Sequence, residues 1–218
     1  MATKPTWTRQ RLADVDVRVG TPALDNTHKI RDAGWFDGDN REAISLPLDA
    51  GHDEAIRRAI WRAADDAYRQ ARKRLLKVKN NLAVKVEAED RSGDFSPSEP
   101  AQSTASLLPL EMNAEEWTAQ LRDASVRFLR SPVVEDSNLS LHAVQSERTI
   151  VTTEGTRLQL PRTAVRLGVW ARTTAADGME ISVYESVDVR DPTELPTGPD
   201  LHRLVDEVEA RVAALAVA

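Results

Sequence analysis

Between Leu139 and Val189 the chain alternates apolar and polar residues with little interruption, and no other feature constrains the fold as much. Leu139, Leu141 and Ala143; Ile150 to Thr153; Leu158 and Leu160; Val165, Leu167, Val169 and Ala171; and Ile181, Val183, Val187 and Val189 read as successive strands with one face turned to a core. Ser146-Glu147-Arg148, Glu154-Gly155 and Asp177-Gly178 read as the connections, and Asp-Gly is a strong hairpin signal. Links this short cannot carry a parallel crossover, so the segment predicts an antiparallel meander.

A sheet with one apolar face needs a cover, and three helical patterns offer it. Ile56, Ile60, Ala63, Ala64, Ala67, Ala71, Leu75, Val78 and Leu82 recur at steps of three and four. Asp53 is placed to cap this long helix, Trp61, Tyr68 and Leu76 widen its stripe, and Ile60 sits mid-stripe as a core residue. Glu54 with Arg58, and Asp65 with Arg69, are spaced to pair on the exposed side. A second helix starts at Asn113, with Glu116 three residues on as in a capping box, runs along Trp117, Leu121, Ala124 and Phe128, and stops at Ser131-Pro132. A third spans Leu201 to about Ala216. Helices before and after a block of strands predict an α+β two-layer sandwich: one domain over residues 1–218, its mostly antiparallel sheet covered on one face, chiefly by the long helix.

The rest reads as an irregular lead-in over the first ten residues and a strand from Leu12, with Val15, Val17 and Val19 set against Asp14, Asp16 and Arg18. Asp25-Asn26 reads as a turn, followed by a Gly- and Asp-rich loop to about Leu48. A Ser-, Pro- and acid-rich loop covers about 89–109.

The chain has 29 basic and 35 acidic residues, a net charge of −6, so a surface built throughout for nucleic acid or anionic lipid is excluded. There is no cysteine, hence no disulfide, thiolate zinc site or cysteine nucleophile. The N-terminus lacks a leader pattern, no apolar run approaches a membrane span, and the expectation is a cytoplasmic protein. Asp14, Asp16, Asp25, Asn26 and His28 crowd the opening segment, and a metal constellation would have to be assembled from distant residues, for example Asp25, His28 and His52. The four histidines, at 28, 52, 142 and 202, stand singly, and none is paired with another at the i,i+4 spacing that lets two imidazoles leave one helix face toward one ion. The opening acids therefore read as the wet face of a strand and an Asx turn. No nucleophile elbow, Walker loop or dinucleotide fingerprint is present. The run ARKRLLKVK, residues 71–79, offers Arg72, Lys73, Arg74, Lys77 and Lys79 to phosphates, but with Ala71, Leu75 and Val78 it also has the composition of an ordinary amphipathic helix.

VDVRVGTPALDNTH, the helix containing AIRRAIWRAADDAYRQARKRL, then GDFSP, SVRFLRSP, TTEGTRLQLPRT and ADGME follow one another in an order that resembles the N-terminal half of TldD/PmbA-type proteins, predicted zinc-dependent peptidases also called modulators of DNA gyrase. The likeness runs from about Arg11 onward, and Glu154-Gly155 looks like the family's strand-turn motif. The resemblance implies a hydrolase family whose zinc is held by a His-Glu-x-x-x-His helix and a further C-terminal ligand, both beyond the matched region. It therefore carries over no catalytic, cofactor-binding or metal-binding residue and leaves activity of this chain alone open. The expected function is a truncated or stand-alone N-terminal module that shapes a substrate chamber or an assembly interface, with a second copy or a TldD/PmbA-like subunit as partner and a peptide as substrate of the full assembly. The alternatives are a non-enzymatic protein-interaction domain, or a nucleic-acid accessory protein using residues 71–79.

Overall fold

The computed structural model describes residues 4–30, 42–49, 51–84 and 92–217. The fold is α+β, as the alternation of patterns predicts. The chain divides into two compact units, residues 6–99 and residues 100–218 with the first five, where the sequence reads as one domain.

In the first unit, strand β1 (Leu12–Val15) pairs antiparallel with β4 (Glu42–Ser45), and the short β2 (Gly20–Thr21) and β3 (Leu24–Asp25) form a second ribbon. The loop expected to run to Leu48 thus contains β4; the rest of that expectation, residues 31–41, lies outside the described residues. Gly20 holds a φ of +139° opposite Asp25, and a Cβ there would run into the backbone of Leu24, so glycine is required at this turn. Helix α1 (Asp53–Val84) packs on β1 and β4. Asp53 is its first residue rather than its cap, and the carbonyl of His52 accepts from the Ile56 N–H at 3.0 Å.

The buried line of α1 is Ala63, Ala67, Ala71, Arg74 and Val78, at steps of four, four, three and four. A row of alanines lets the helix backbone approach the ribbon closely but buries little apolar area. The wider residues are left out: Ile60 is 38% exposed and Trp61 68%. This corrects the expectation that Ile60 is a core residue.

In the second unit the large sheet is built from β6 (Asp136–Val151), β7 (Arg157–Thr174) and β8 (Glu180–Val189), all antiparallel, with β5 (Gln102–Thr104) added parallel to one end of β7. Ser146-Glu147-Arg148 is no connection but the middle of β6, each residue paired across to β7, so the five expected strands fuse into three. The real turns are at Glu154-Gly155 and Asp177-Gly178, where Gly178 takes a φ of +87° and the Asp177 carboxylate accepts from the Met179 N–H. β5 lies inside the stretch expected to be loop, whose residues 89–91 fall outside the described ones.

Helix α2 (Ala114–Ser125) is capped by Asn113, whose Oδ1 accepts from the backbone N–H of Glu115 and Glu116. It packs on β6, and Phe128 follows in a short 3-10 turn. Helix α3 (Gly198–Ala216) lies on β7 and β8. Its buried stripe, Leu201, Val205, Val208 and Val212, meets Val165, Leu167, Val169 and Ala171 of β7. Each such side chain contributes about 1.5–3 kcal/mol when fully buried. α3 thus does for the sheet what the sequence assigns to α1.

Candidate functional site

Of the residues that crowd the opening segment, Asp25 and His28 come together, around a partner that sequence reasoning passed over. Asp14 and Asp16 are exposed, alternating with half-buried Ala13, Val15 and Val17; Asp14 lies on the wet face of β1 as expected, whereas the strand ends at Val15, short of Asp16 and of the Val17 and Val19 expected in it. Asp25 and Asn26 are fully buried. Asn26 Oδ1 accepts from the Val19 N–H at 2.5 Å and its backbone N–H donates to the Val19 carbonyl at 3.1 Å, so the amide holds the strand where it turns. Asp25 Oδ1 accepts from both the N–H and the hydroxyl of Thr27, each at 2.6 Å, the Asx turn expected here.

Asp94 closes the cluster from the far end of the unit's sequence. Its Oδ2 accepts from the Asp25 N–H at 2.6 Å, and its Oδ1 lies 2.6 Å from His28 Nδ1. The Phe95 N–H donates to the Pro22 carbonyl, and the Arg18 guanidinium sits 4.8 Å from the centre of the Phe95 ring and 3.5 Å from Asp25 Oδ2. LDNTH and GDF, two of the segments that carry the resemblance, therefore form one polar knot. Asp94 was missed because it stands in a stretch whose serines, prolines and acids read as loop; the signal was Asp between Gly and Phe, a buried-side aromatic in an otherwise apolar-poor segment.

Chemically, the knot is a half-exposed imidazole oriented by a nearly buried carboxylate, as in the His–Asp pairs that fix a ring's tautomer. It does not fit a zinc ion, the metal that the resemblance brings to mind. Asp25 Oδ1 accepts from Thr27, both Asp94 oxygens are engaged by the Asp25 N–H and His28, Asp25 Oδ2 faces the Arg18 guanidinium at 3.5 Å, and among the described residues no three His, Asp or Glu converge to hold a metal ion. His52 is exposed next to α1, His142 is exposed on β6, and His202 pairs with Asp123 at 2.8 Å between α3 and α2.

The 71–79 run divides by facing. Arg72 and Lys73 point to solvent, with Arg72 stacked 5.8 Å over the Tyr68 ring, whereas Arg74 is buried and donates to the His28 carbonyl at 3.4 Å. Arg74 thus ties α1 to the knot, a role its place among basic residues does not reveal. Trp61, Tyr68, Leu76 and Arg72 make a second, outward face of α1 that is aromatic and cationic. Glu154 stands in the β6–β7 turn, its carboxyl held below the ordinary range by its own backbone N–H and the hydroxyls of Thr152 and Thr153.

Among the described residues no helix is long and apolar enough to cross a membrane. Comparison of the chain with protein-family models, characterised proteins and solved structures found no match.

Proposed function

We propose that this chain is the N-terminal assembly and substrate-chamber module of a TldD/PmbA-like metallopeptidase, working in the cytoplasm, with zinc and catalytic groups supplied by another segment or subunit. The outward face of α1 is the observation that supports it. A 32-residue helix that packs on a two-stranded ribbon leaves Trp61 68%, Leu76 61% and Tyr68 45% exposed, and large apolar groups clustered in water mark a surface built to be covered. The helix carries nine basic against four acidic residues, which favours an acidic partner. Residues 100–218, with eighteen acidic and eleven basic residues, give a second copy or a related subunit that character.

Light scattering after size-exclusion chromatography tests this. The chain associates, and the double variant Trp61→Glu with Tyr68→Glu is monomeric and folded. A wild-type chain that stays monomeric at every concentration and with every candidate subunit overturns the proposal.

Contact with nucleic-acid phosphates has one observation in its favour, the exposure of Arg72, Lys73 and Lys79 on one helix. If DNA binds in a salt-sensitive way that Arg72→Ala and Lys73→Ala abolish, that reading displaces assembly.

A further inference from the structure

The sheet of the second unit has a core face and an outer face. Val165, Leu167, Val169 and Ala171 of β7 meet the buried residues of α2 and α3 on one side, and alternate residues point the other way. In register across β6, β7 and β8, the outer face carries the rows His142–Arg166–Asp188, Ser140–Gly168–Ser186 and Asn138–Trp170–Tyr184. It is open to water, with Val144 59% and Tyr184 52% exposed. A Cβ at Gly168 would come within 3.0 Å of Tyr184 Cε2, the Tyr184 hydroxyl and Ser140 Oγ, so glycine here lets the tyrosine ring lie across β7. The ring is thus held against the sheet beside Trp170, with half of its surface free.

Charge is sorted between the faces. Residues 100–218 hold eighteen acidic and eleven basic residues, yet the outer face carries Arg148, Arg162, Arg166, Arg172 and Arg190 against Asp136, Glu180 and Asp188. Arg166 engages Asp188 at 2.6 Å and Arg172 engages Glu180 at 3.0 Å. The other three arginines are exposed, and none is ion-paired among the described residues. They form a diagonal row. Arg148 lies opposite Leu160, Arg162 opposite Ser146, and Arg190 beside Ala164, one residue past the Val189–Val165 pair. Each step along the row joins diagonal neighbours, about 7–8 Å apart. The row borders a groove of about 920 Å³, whose acid left unengaged by these arginines is Glu194, on the short turn after β8. Gly168, under the Tyr184 ring, follows Ala164 by four residues, or about 13 Å of strand.

We propose that the outer face of this sheet binds single-stranded nucleic acid, its phosphates meeting Arg148, Arg162 and Arg190 and a base stacking on the open side of the Tyr184 ring. A guanidinium pairs with phosphate in a bidentate way, and a row of three suits a ligand whose charges repeat along a chain. The ring selects among polyanions, because every base has a π-face to lay on it and a carboxylate side chain has none. An open sheet receives a single strand with its bases splayed out, whereas a duplex keeps its bases stacked inside and brings only phosphates to the surface. This surface belongs to a different unit from the α1 face and is independent of the assembly reading.

Fluorescence anisotropy of the whole chain with a labelled short oligothymidylate tests it. The oligomer binds saturably, the logarithm of affinity falls with that of salt at a slope of about 2 for three phosphates, and an abasic oligomer of equal length binds about tenfold more weakly. Arg148→Ala and Arg162→Ala each weaken binding about tenfold and lower the slope by about 0.7, while the circular dichroism and melting of these surface variants match wild type. Tyr184→Ala weakens binding about tenfold, and Tyr184→Phe, which keeps the ring, does not. The α1 change Arg72→Ala with Lys73→Ala leaves binding as it is, which separates this site from the basic helix. Absence of binding, equal affinity for the abasic oligomer, for a duplex or for polyglutamate, indifference to both arginine changes on the sheet, or loss of binding through the α1 change alone each overturns the proposal.

Discussion

At the scale of single residues, spacing identified which positions are acidic and basic but not which are buried. Asp14, Asp16 and Asp25 look alike in the sequence, yet Asp25 has no exposed surface and anchors Thr27 and Arg18. Asp25→Ala costs about 1–3 kcal/mol, because buried donors lose their acceptor. Asp14→Asn and Asp16→Asn stay within about 0.5 kcal/mol, as surface changes do. Urea titrations of the three variants decide it, and equal costs refute the assignment of Asp25 to the knot. Arg72 and Arg74 make the second comparison. They are two positions apart on α1, which turns one to solvent and the other to the ribbon side. Arg74→Ala destabilises by about 1–3 kcal/mol through the polar groups it leaves buried, whereas Arg72→Ala has little effect on the melting temperature. Equal melting of both variants contradicts the burial of Arg74.

At the scale of elements, size of side chain decides what a helix can cover. The Ala63, Ala67 and Ala71 row brings α1 close to its ribbon, so Ala67→Leu overpacks and costs about 1–3 kcal/mol. Ile60→Ala, at a 38% exposed position, costs less than about 1 kcal/mol. Leu201→Ala on α3 opens a cavity in the main core and costs about 2–5 kcal/mol. Chemical denaturation that ranks Ile60→Ala as the costliest of the three reverses the roles of the two helices. The sheet has its own probe. The Arg166 guanidinium, hydrogen-bonded across the strands, holds the Asp188 carboxyl below the ordinary carboxylate range. A carboxyl depressed on folding adds stability that is present above its unfolded pKa and lost as pH falls through the folded one. A carbon-detected NMR titration shows the Asp188 midpoint below that of an unfolded peptide, and Arg166→Ala moves it up; an unmoved midpoint rules out the pair.

At the scale of the whole molecule, the chain falls into two compact units, residues 6–99 and residues 100–218 with the first five. The second holds the larger apolar core, with the valines of β7 and α3, while the first rests on alanines and a buried polar knot. Unequal cores unfold unequally. Hydrogen exchange read by mass spectrometry is therefore expected to show amides of β1, β4 and α1 exchanging at lower denaturant than those of β7, β8 and α3. One common exchange rate across both groups refutes the division.

The sequence by itself determined the secondary structure wherever period and turn chemistry agree. The alternation around Val165 to Ala171 marks strand β7, Asn113 caps α2, and Asp177-Gly178 closes a hairpin, because each depends on neighbours within a few residues. The three long strands were hidden by polar runs such as Ser146-Glu147-Arg148, which a two-stranded arm exposed to water tolerates. Only the tertiary structure decided which helix covers the sheet, since amphipathic stripes on α1 and α3 look interchangeable until the partner surface is known. Only it joined Asp94 to His28 and Asp25, 66 positions of chain separating the first two. Local preference is written in short-range spacing; burial and charge pairing depend on contacts between segments far apart in sequence.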